Sequence, residues 1–471
     1  MLVQARTQAR TQARTQARTQ VRTQVRTQAR THAPDAPPHP STVPVPAGTD
    51  SGSRVPPRTA RSAWVRPAAA VFVVGWGANM FASLLHAYAH LSGTRADGLF
   101  GAYALGLVPA LLIAARVSDR IGRRRALLAA LLLSALGSAV LWLSSGEFAT
   151  ILTGRILIGI SAGAAFGPGT AWIKELSATS VTSVTSATSA TSATSATSST
   201  AQTRGLGARR AAVALTAGFA AGPLLSGAVV QWLPAPQTTS YLVHIALVAL
   251  ALPLVFRAPE TARHPRRHLR PDTGRPAADR GRDAYLTSRV FLAAVLPTAP
   301  WIFGAATVSF TALPALVSLG DFGAVGSGIV AAITLGTGIA VQPWAGRLAR
   351  RSPAAPFRTG MTAAVVGMLL AALTAATGSL VWLLTAAIVL GSAYGILLVS
   401  GLRLVESLAP PQHAATAIAV FYSLAYAGFA FPVLVQALSS LWNAVPVLVA
   451  GSGLAMAAMA LTFIAWPHKA R

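Results

Sequence analysis

The sequence predicts an all-α membrane protein of twelve transmembrane helices arranged as two six-helix bundles. Three observations predict it. Of 471 residues, 53% are hydrophobic and only 11% charged, with a mean hydropathy of +0.55; soluble proteins carry about 25% charged residues. Twelve apolar stretches approach the roughly 20 residues needed to cross a hydrocarbon core. Basic residues fall almost wholly in alternate loops between those stretches, as the positive-inside rule requires.

Residues 1–64 open with a Thr-Gln-Ala-Arg repeat that spaces Arg6, Arg10, Arg14 and Arg18 four apart, then turn Pro- and Ser-rich. Such sequence cannot bury apolar surface and is expected to be a disordered basic arm. No apolar segment follows these arginines before residue 67, so no signal peptide is expected. Spans are predicted near 67–91, 96–115, 124–145, 148–175, 210–233 and 239–257, which make a first bundle over 65–257. A second bundle over 289–466 takes spans near 289–318, 323–346, 357–377, 379–403, 413–437 and 444–466. Between spans 4 and 5, residues 177–203 repeat Thr, Ser and Ala without an apolar face, and a flexible insert is expected. Residues 258–288 are rich in Arg and Pro and read as a cytosolic linker between the bundles, while 467–471 form a short tail.

Charge placement orients the chain. With the N-terminus inside, Arg116 to Arg125, Lys174, Arg204, Arg209, Arg210, Arg257 to Arg289, Arg347, Arg350, Arg351, Arg358, Arg403 and Lys469 are cytosolic. The outer loops keep only Arg95. Both termini are therefore expected in the cytosol of a cell with this protein in its plasma membrane. A faint repeat supports parallel halves: Ala115-Arg116-Val117-Ser118-Asp119 after span 2 aligns with Gly346-Arg347-Leu348-Ala349-Arg350 after span 8.

The formal charge of +26 raises the possibility of nucleic acid. The basic residues sit in a repetitive arm and in loops, which points instead to weak attraction to anionic lipid. Cysteine is absent, which excludes disulfides, thiol catalysis and cysteine-ligated metals. No nucleotide-binding loop, metal cluster or catalytic triad is visible, so neither enzyme activity nor a cofactor or metal is expected.

Two segments carry the mechanical signal. Asp119-Arg120-Ile121-Gly122-Arg123-Arg124 is a tight charged turn between spans 2 and 3, as in a moving hinge. In span 5, Gly218, Gly222, Pro223 and Gly227 give a helix that bends and approaches a neighbour closely. Span 8, with Gly326, Gly328, Gly336 and Gly338, is the predicted partner across the halves.

These residues resemble the major facilitator superfamily, and within it the twelve-span drug:proton antiporters. The turn is similar to that family's G-x-x-x-D-R-x-G-R-R, with Ala115 in place of the first glycine. Span 5 is similar to G-x-x-x-G-P-x-x-G-G, with Ser226 replacing one glycine. Arg155, Gly159 and Gly163 are similar to R-x-x-Q-G-x-x-x-G in span 4, with Ile158 replacing the glutamine. Pro259-Glu260-Thr261 matches the family's Pro-Glu-Thr after span 6. The resemblance implies a transporter that rocks between two states, binds a small molecule at the midplane and exchanges it for protons.

Gating residues are then expected at Asp119, Arg120, Gly122, Arg123, Arg124, Gly218, Gly222, Pro223 and Gly227. Asp119 is expected to latch onto the positive N-terminal end of span 11. The family links the arginine matching Arg155 to proton coupling; the residues alone equally allow a hub for backbone carbonyls. No acid lies at the centre of a predicted span, so His86 and Asp97 join Arg155 as coupling candidates. Asn79, Ser83, His86 and His90 line one face of span 1, a polar stripe that should avoid lipid. Asn79, Ser83, Trp301, Tyr394, Tyr422 and Tyr426 are therefore substrate candidates, the aromatics suiting amphipathic or aromatic organic compounds, cations among them. Arg403 and Glu406, three apart, and the adjacent Lys174 and Glu175 are expected to pair along their own helices. The expected partners are a small-molecule substrate, protons and the lipid bilayer, with the protein a monomer. A facilitator or proton symporter importing a polar solute remains the alternative mechanism, and a non-transporting sensor or scaffold the alternative class.

Overall fold

The computed structural model describes residues 62–88, 93–144, 146–185, 193–261, 285–410 and 414–466. The basic arm and most of the Arg/Pro linker therefore lie outside the described residues. Twelve helical segments follow one another. In the first half they are α1 (Val65–Tyr88), α2 (Gly93–Ile121), α3 (Arg123–Leu143), α4 (Phe148–Thr185), α5 (Ala193–Trp232) and α6 (Pro236–Phe256). In the second they are α7 (Phe291–Leu316), α8 (Gly323–Arg351), α9 (Ala355–Thr377), α10 (Leu380–Leu408), α11 (Thr416–Trp442) and α12 (Ala444–Ala465).

Eleven of these are long and apolar enough to cross a membrane; α2 offers only the shorter apolar helix Gly101–Ala114. The reason is local. Arg95 and Asp97 lie at one end of α2 and Arg116, Asp119 and Arg120 at the other, and Pro109 interrupts its middle. Exposed Leu105, Leu143, Leu250, Val381, Leu441 and Leu454 give the outer surface the apolar character that lipid requires.

The insert between spans 4 and 5 departs from expectation. Helix α4 continues to Thr185 and α5 begins at Ala193, so much of the Thr/Ser/Ala repeat is helical rather than a structureless linker. Extending an existing helix avoids the nucleation cost, and alanine has the best helix propensity, so low complexity alone does not prevent it.

Small residues set the packing. In the first half, Gly159 and Gly163 of α4 lie against the Tyr103 and Leu107 carbonyls of α2 so closely that a Cβ at either would overlap them. In the second half, Gly391 and Gly395 of α10 meet the Thr334 and Gly338 carbonyls of α8 in the same way. Both are glycines four apart seated on carbonyls four apart. The internal repeat is thus clearer in backbone contacts than in the loop sequence that first hinted at it. Contacts between the halves run chiefly along α5–α8 and α2–α11.

Candidate functional site

Helix α5 shows how a proline is accommodated in the membrane. Pro223 has no N–H, so the carbonyl four residues earlier, on Phe219, loses its helical donor. Asn79 of α1 supplies one: its Nδ2 donates to Phe219 O at 3.1 Å. Ser83 donates to Pro223 O at 2.8 Å, and Ser226 donates back to Met80 O at 2.8 Å. The α5 glycines allow this approach. A Cβ at Gly222 would sit 2.6 Å from Trp76 O, and one at Gly218 would overlap Phe72 O. Asn79 and Ser83 thus bind α5 to α1 and are not among the cavity-lining residues described below. Gly218 and Gly222 also face α1. Only Gly227 meets the expected partner α8, with a built Cβ 2.6 Å from Ala324 O.

The α5–α8 seam is made by main chain. Gly328 of α8 lies over the Pro223 carbonyl, where a Cβ would stand at 2.5 Å. Beside it, Ser327 reaches Ser83 at 3.5 Å, and Gln231 of α5 donates to the Asp321 carbonyl at 2.5 Å. His86 is exposed at the same end, its Nδ1 donating to Ser83 O at 3.2 Å.

Between this seam and the arginine-rich end lies an aromatic layer joining both halves. Phe303 of α7 stacks on Tyr426 of α11 with ring centres 4.4 Å apart. Tyr103, Phe219 and Phe429 close around them. Tyr394 of α10 bonds across to Thr216 of α5 through their hydroxyls at 3.1 Å. Trp301 stands apart, edge-on to Phe431.

Below the aromatic layer opens a cavity of about 600 Å³. Leu111, Gly167, Ala171, Leu215, Leu398 and Ile418 make its apolar wall. Gln342 and Tyr422 are polar groups in that wall, and Arg123, Lys174, Glu175, Arg209, Arg403 and Glu406 stand toward the arginine-rich end. Tyr422 is the one substrate candidate that lines the cavity; Tyr394 and Tyr426 belong to the layer that closes it.

The ion pairs differ from the expected ones. Lys174 of α4 meets Glu406 of α10 at 2.7 Å, and Glu175 meets Arg123 at 3.3 Å. Each charge reaches a different helix. Lys174 and Glu406 are 232 residues apart and join the two halves across the cavity.

The α2–α3 turn is anchored within its own half. Gly122 has φ +97°, open to glycine, and lets α2 stop and α3 restart. The restarted helix exposes N–H groups, and Glu260 receives two of them, from Arg123 N (3.0 Å) and Arg124 N (2.9 Å). Arg123 also donates to Ser118, Thr261 donates to Glu175, and Trp172 donates to Pro259 O. The Asp119 and Asp97 side chains, like the start of span 11, lie outside the described residues, and the proposed latch with them.

Arg155 is fully buried. It donates to Leu99 O at 3.1 Å and Ala78 O at 3.3 Å, and lies over the rings of Phe81 (4.4 Å) and Tyr103 (5.2 Å). This is the carbonyl hub that the residues allowed. His244, also buried, bridges three helices: Nε2 donates to Val73 O and Nδ1 accepts from Ser138. Sequence reasoning missed Gln342, a lone amide in an apolar span beside Pro343, and gave Glu260 no site of its own. The need of α3 for an N-terminal acceptor was the signal for Glu260.

No curated protein matches the chain. Among solved structures it resembles a point mutant of the peptide transporter POT in complex with sulfate (TM-score 0.62, 14% identity, covering 86% of this chain and 93% of that one). It also resembles a mutant of the nucleoside transporter NupG (0.60, 13%, 86% and 100%) and the human organic anion transporter MFSD10 (0.59, 19%, 86% and 100%). At these identities the likeness speaks for the fold. The family model of the Major Facilitator Superfamily matches residues 68–433, most of the chain, and the glycine seams and the anchored α2–α3 turn lie within that stretch. By that match this multi-pass membrane protein belongs to the Major Facilitator Superfamily of transporters.

Proposed function

We propose that the chain exports a small amphipathic organic compound by alternating access in exchange for protons. In this reading twelve spans form two six-helix halves, the arginine-rich face is cytosolic, and the state described is open inward. The carrying observation is the apolar cavity between the halves, extending toward the arginine-rich end and backed by the aromatic layer and the α5–α8 seam. Its volume suits a drug-sized organic molecule. Rocking about the seams would move the opening to the other side. Asp119 and the turn Arg120 to Arg124 then act as the inner gate, and Arg155, His86 and Asp97 as the coupling region.

The test is flux of amphipathic fluorophores in proteoliposomes with and without an imposed pH gradient. Gradient-driven export is expected, with Arg155→Ala abolishing it while exchange without a gradient partly survives. Flux indifferent to the gradient would establish the second reading, a facilitator. One observation favours that reading: Glu147, Glu175, Glu260, Asp321 and Glu406, the acids with described side chains, all stand within a few residues of an end of a candidate membrane span. No flux of any compound would leave a sensor or scaffold.

A further inference from the structure

We infer that the cavity selects amphipathic organic anions: a carboxylate or sulfonate carried on an aromatic or aliphatic body. This rests on the cavity being the transport site. The wall carries four basic side chains, Arg123, Lys174, Arg209 and Arg403, against two acids, Glu175 and Glu406. Both acids are already engaged. Glu175 takes Arg123 and the Thr261 hydroxyl, and Glu406 takes Lys174. Arg209 and Arg403 are left with no carboxylate partner among the described residues.

The deeper wall leans the same way. Gln342 is 6% exposed, and its Nε2, a donor, finds no hydrogen-bond partner among the described residues. A buried amide N–H without an acceptor is costly, and a ligand oxygen would satisfy it. Tyr422 adds a hydroxyl nearby in the same wall. The groups left to meet a ligand are thus two guanidinium forks, an amide donor and a phenol. Guanidinium forks match carboxylate oxygens in a bidentate geometry. The remaining lining is apolar, which takes the hydrophobic body. An amphipathic cation would instead meet the positive charge of Arg209 and Arg403 and, among the described residues, no carboxylate of the wall that is not already engaged.

The test uses the full chain in nanodiscs with three fluorescent compounds that share one ring system: pyrenebutyrate, pyrenebutyramide and pyrenebutylamine. Pyrenebutyrate is expected to bind at least about tenfold more tightly than the other two. Arg209→Gln and Arg403→Gln should each weaken it about five- to tenfold and leave pyrenebutyramide within about twofold. Gln342→Leu should weaken both carbonyl compounds. Arg347→Gln, which removes a charge from the same face but not from the cavity wall, should change nothing. Equal or tighter binding of the amine overturns the inference, as does no binding of any of the three. So does an equal effect of Arg403→Gln and Arg347→Gln, which would reduce the arginines to general surface charge. Counterflow in proteoliposomes separates the two levels. Pyrenebutyrate that binds with this pattern but does not cross leaves the anion site standing and removes the transport reading. Amine that crosses while butyrate does not has the opposite meaning.

Discussion

Gly328→Ala is the sharpest perturbation of the α5–α8 seam. The new Cβ would stand 2.5 Å from Pro223 O and 3.0 Å from Leu224 Cα, both main-chain atoms that cannot rotate away. Ordinary contact begins at 3.4 Å, so the helices must separate by about 0.9 Å (3.4 − 2.5). Overpacking of this kind costs about 1–3 kcal/mol. Charged only to the state in which the seam is closed, that shifts the two-state balance about 5- to 150-fold toward the other state. Gly336→Ala is the matched control, since a Cβ there meets nothing within 4 Å. Both changes gain the same helix propensity, about 1 kcal/mol, so only the contact differs. The chain lacks cysteine, and spin labels on Glu147→Cys and Thr377→Cys, both exposed at the end away from the arginine-rich loops, would report the opening. Pulsed electron resonance should show longer label distances for Gly328→Ala and the parent distribution for Gly336→Ala. If the two variants fold and give superimposable distributions, the seam is not what closes this end.

Three further outcomes are expected. Asn79→Leu should lower the melting temperature by removing the donor to Phe219 O, a loss of about 0.6–1.7 kcal/mol in a membrane protein; Pro223→Ala in the same chain should recover part of it by restoring the helical N–H, and strict additivity would refute the handover. Glu260→Ala should destabilise the start of α3 by about 0.5–2 kcal/mol, read as faster hydrogen exchange at Arg124 to Leu128 but not at α9. Lys174 and Glu406 are 29% and 36% exposed, so their pair contributes only about 0.2–1 kcal/mol. Glu406→Lys should therefore change transport by no more than several-fold, and the double reversal with Lys174→Glu should restore it; failure of the reversal would assign the two residues separate roles.

The spans were legible because twenty apolar residues have few other uses, and span 5 because glycine and proline together mark a tight, bent contact. What a polar stripe means was less legible. Asn79 and Ser83 announce only that their face avoids lipid; whether they meet a ligand or a neighbouring helix depends on what lies opposite. Here it was a carbonyl that Pro223 had orphaned, a demand the sequence states once the position four before the proline is considered. The ion pairs are not legible for a different reason. Local spacing favours partners three or four apart, whereas the halves bring together Lys174 and Glu406, which no local rule connects. Gln342 gives no signal of its own because a single amide in an apolar span carries no periodicity.

Where Gly227 and Gly328 seat the α5–α8 seam main chain on main chain, no side chain can swing aside to open it. Rotamer flips occur in picoseconds to nanoseconds, but Gly227 and Gly328 have no side chain to flip. A solute or ion can pass there only when whole helices part, on the microsecond-to-millisecond scale of rigid-body motion. Leakage through a closed transporter of this construction is therefore governed by the same slow event as its working cycle.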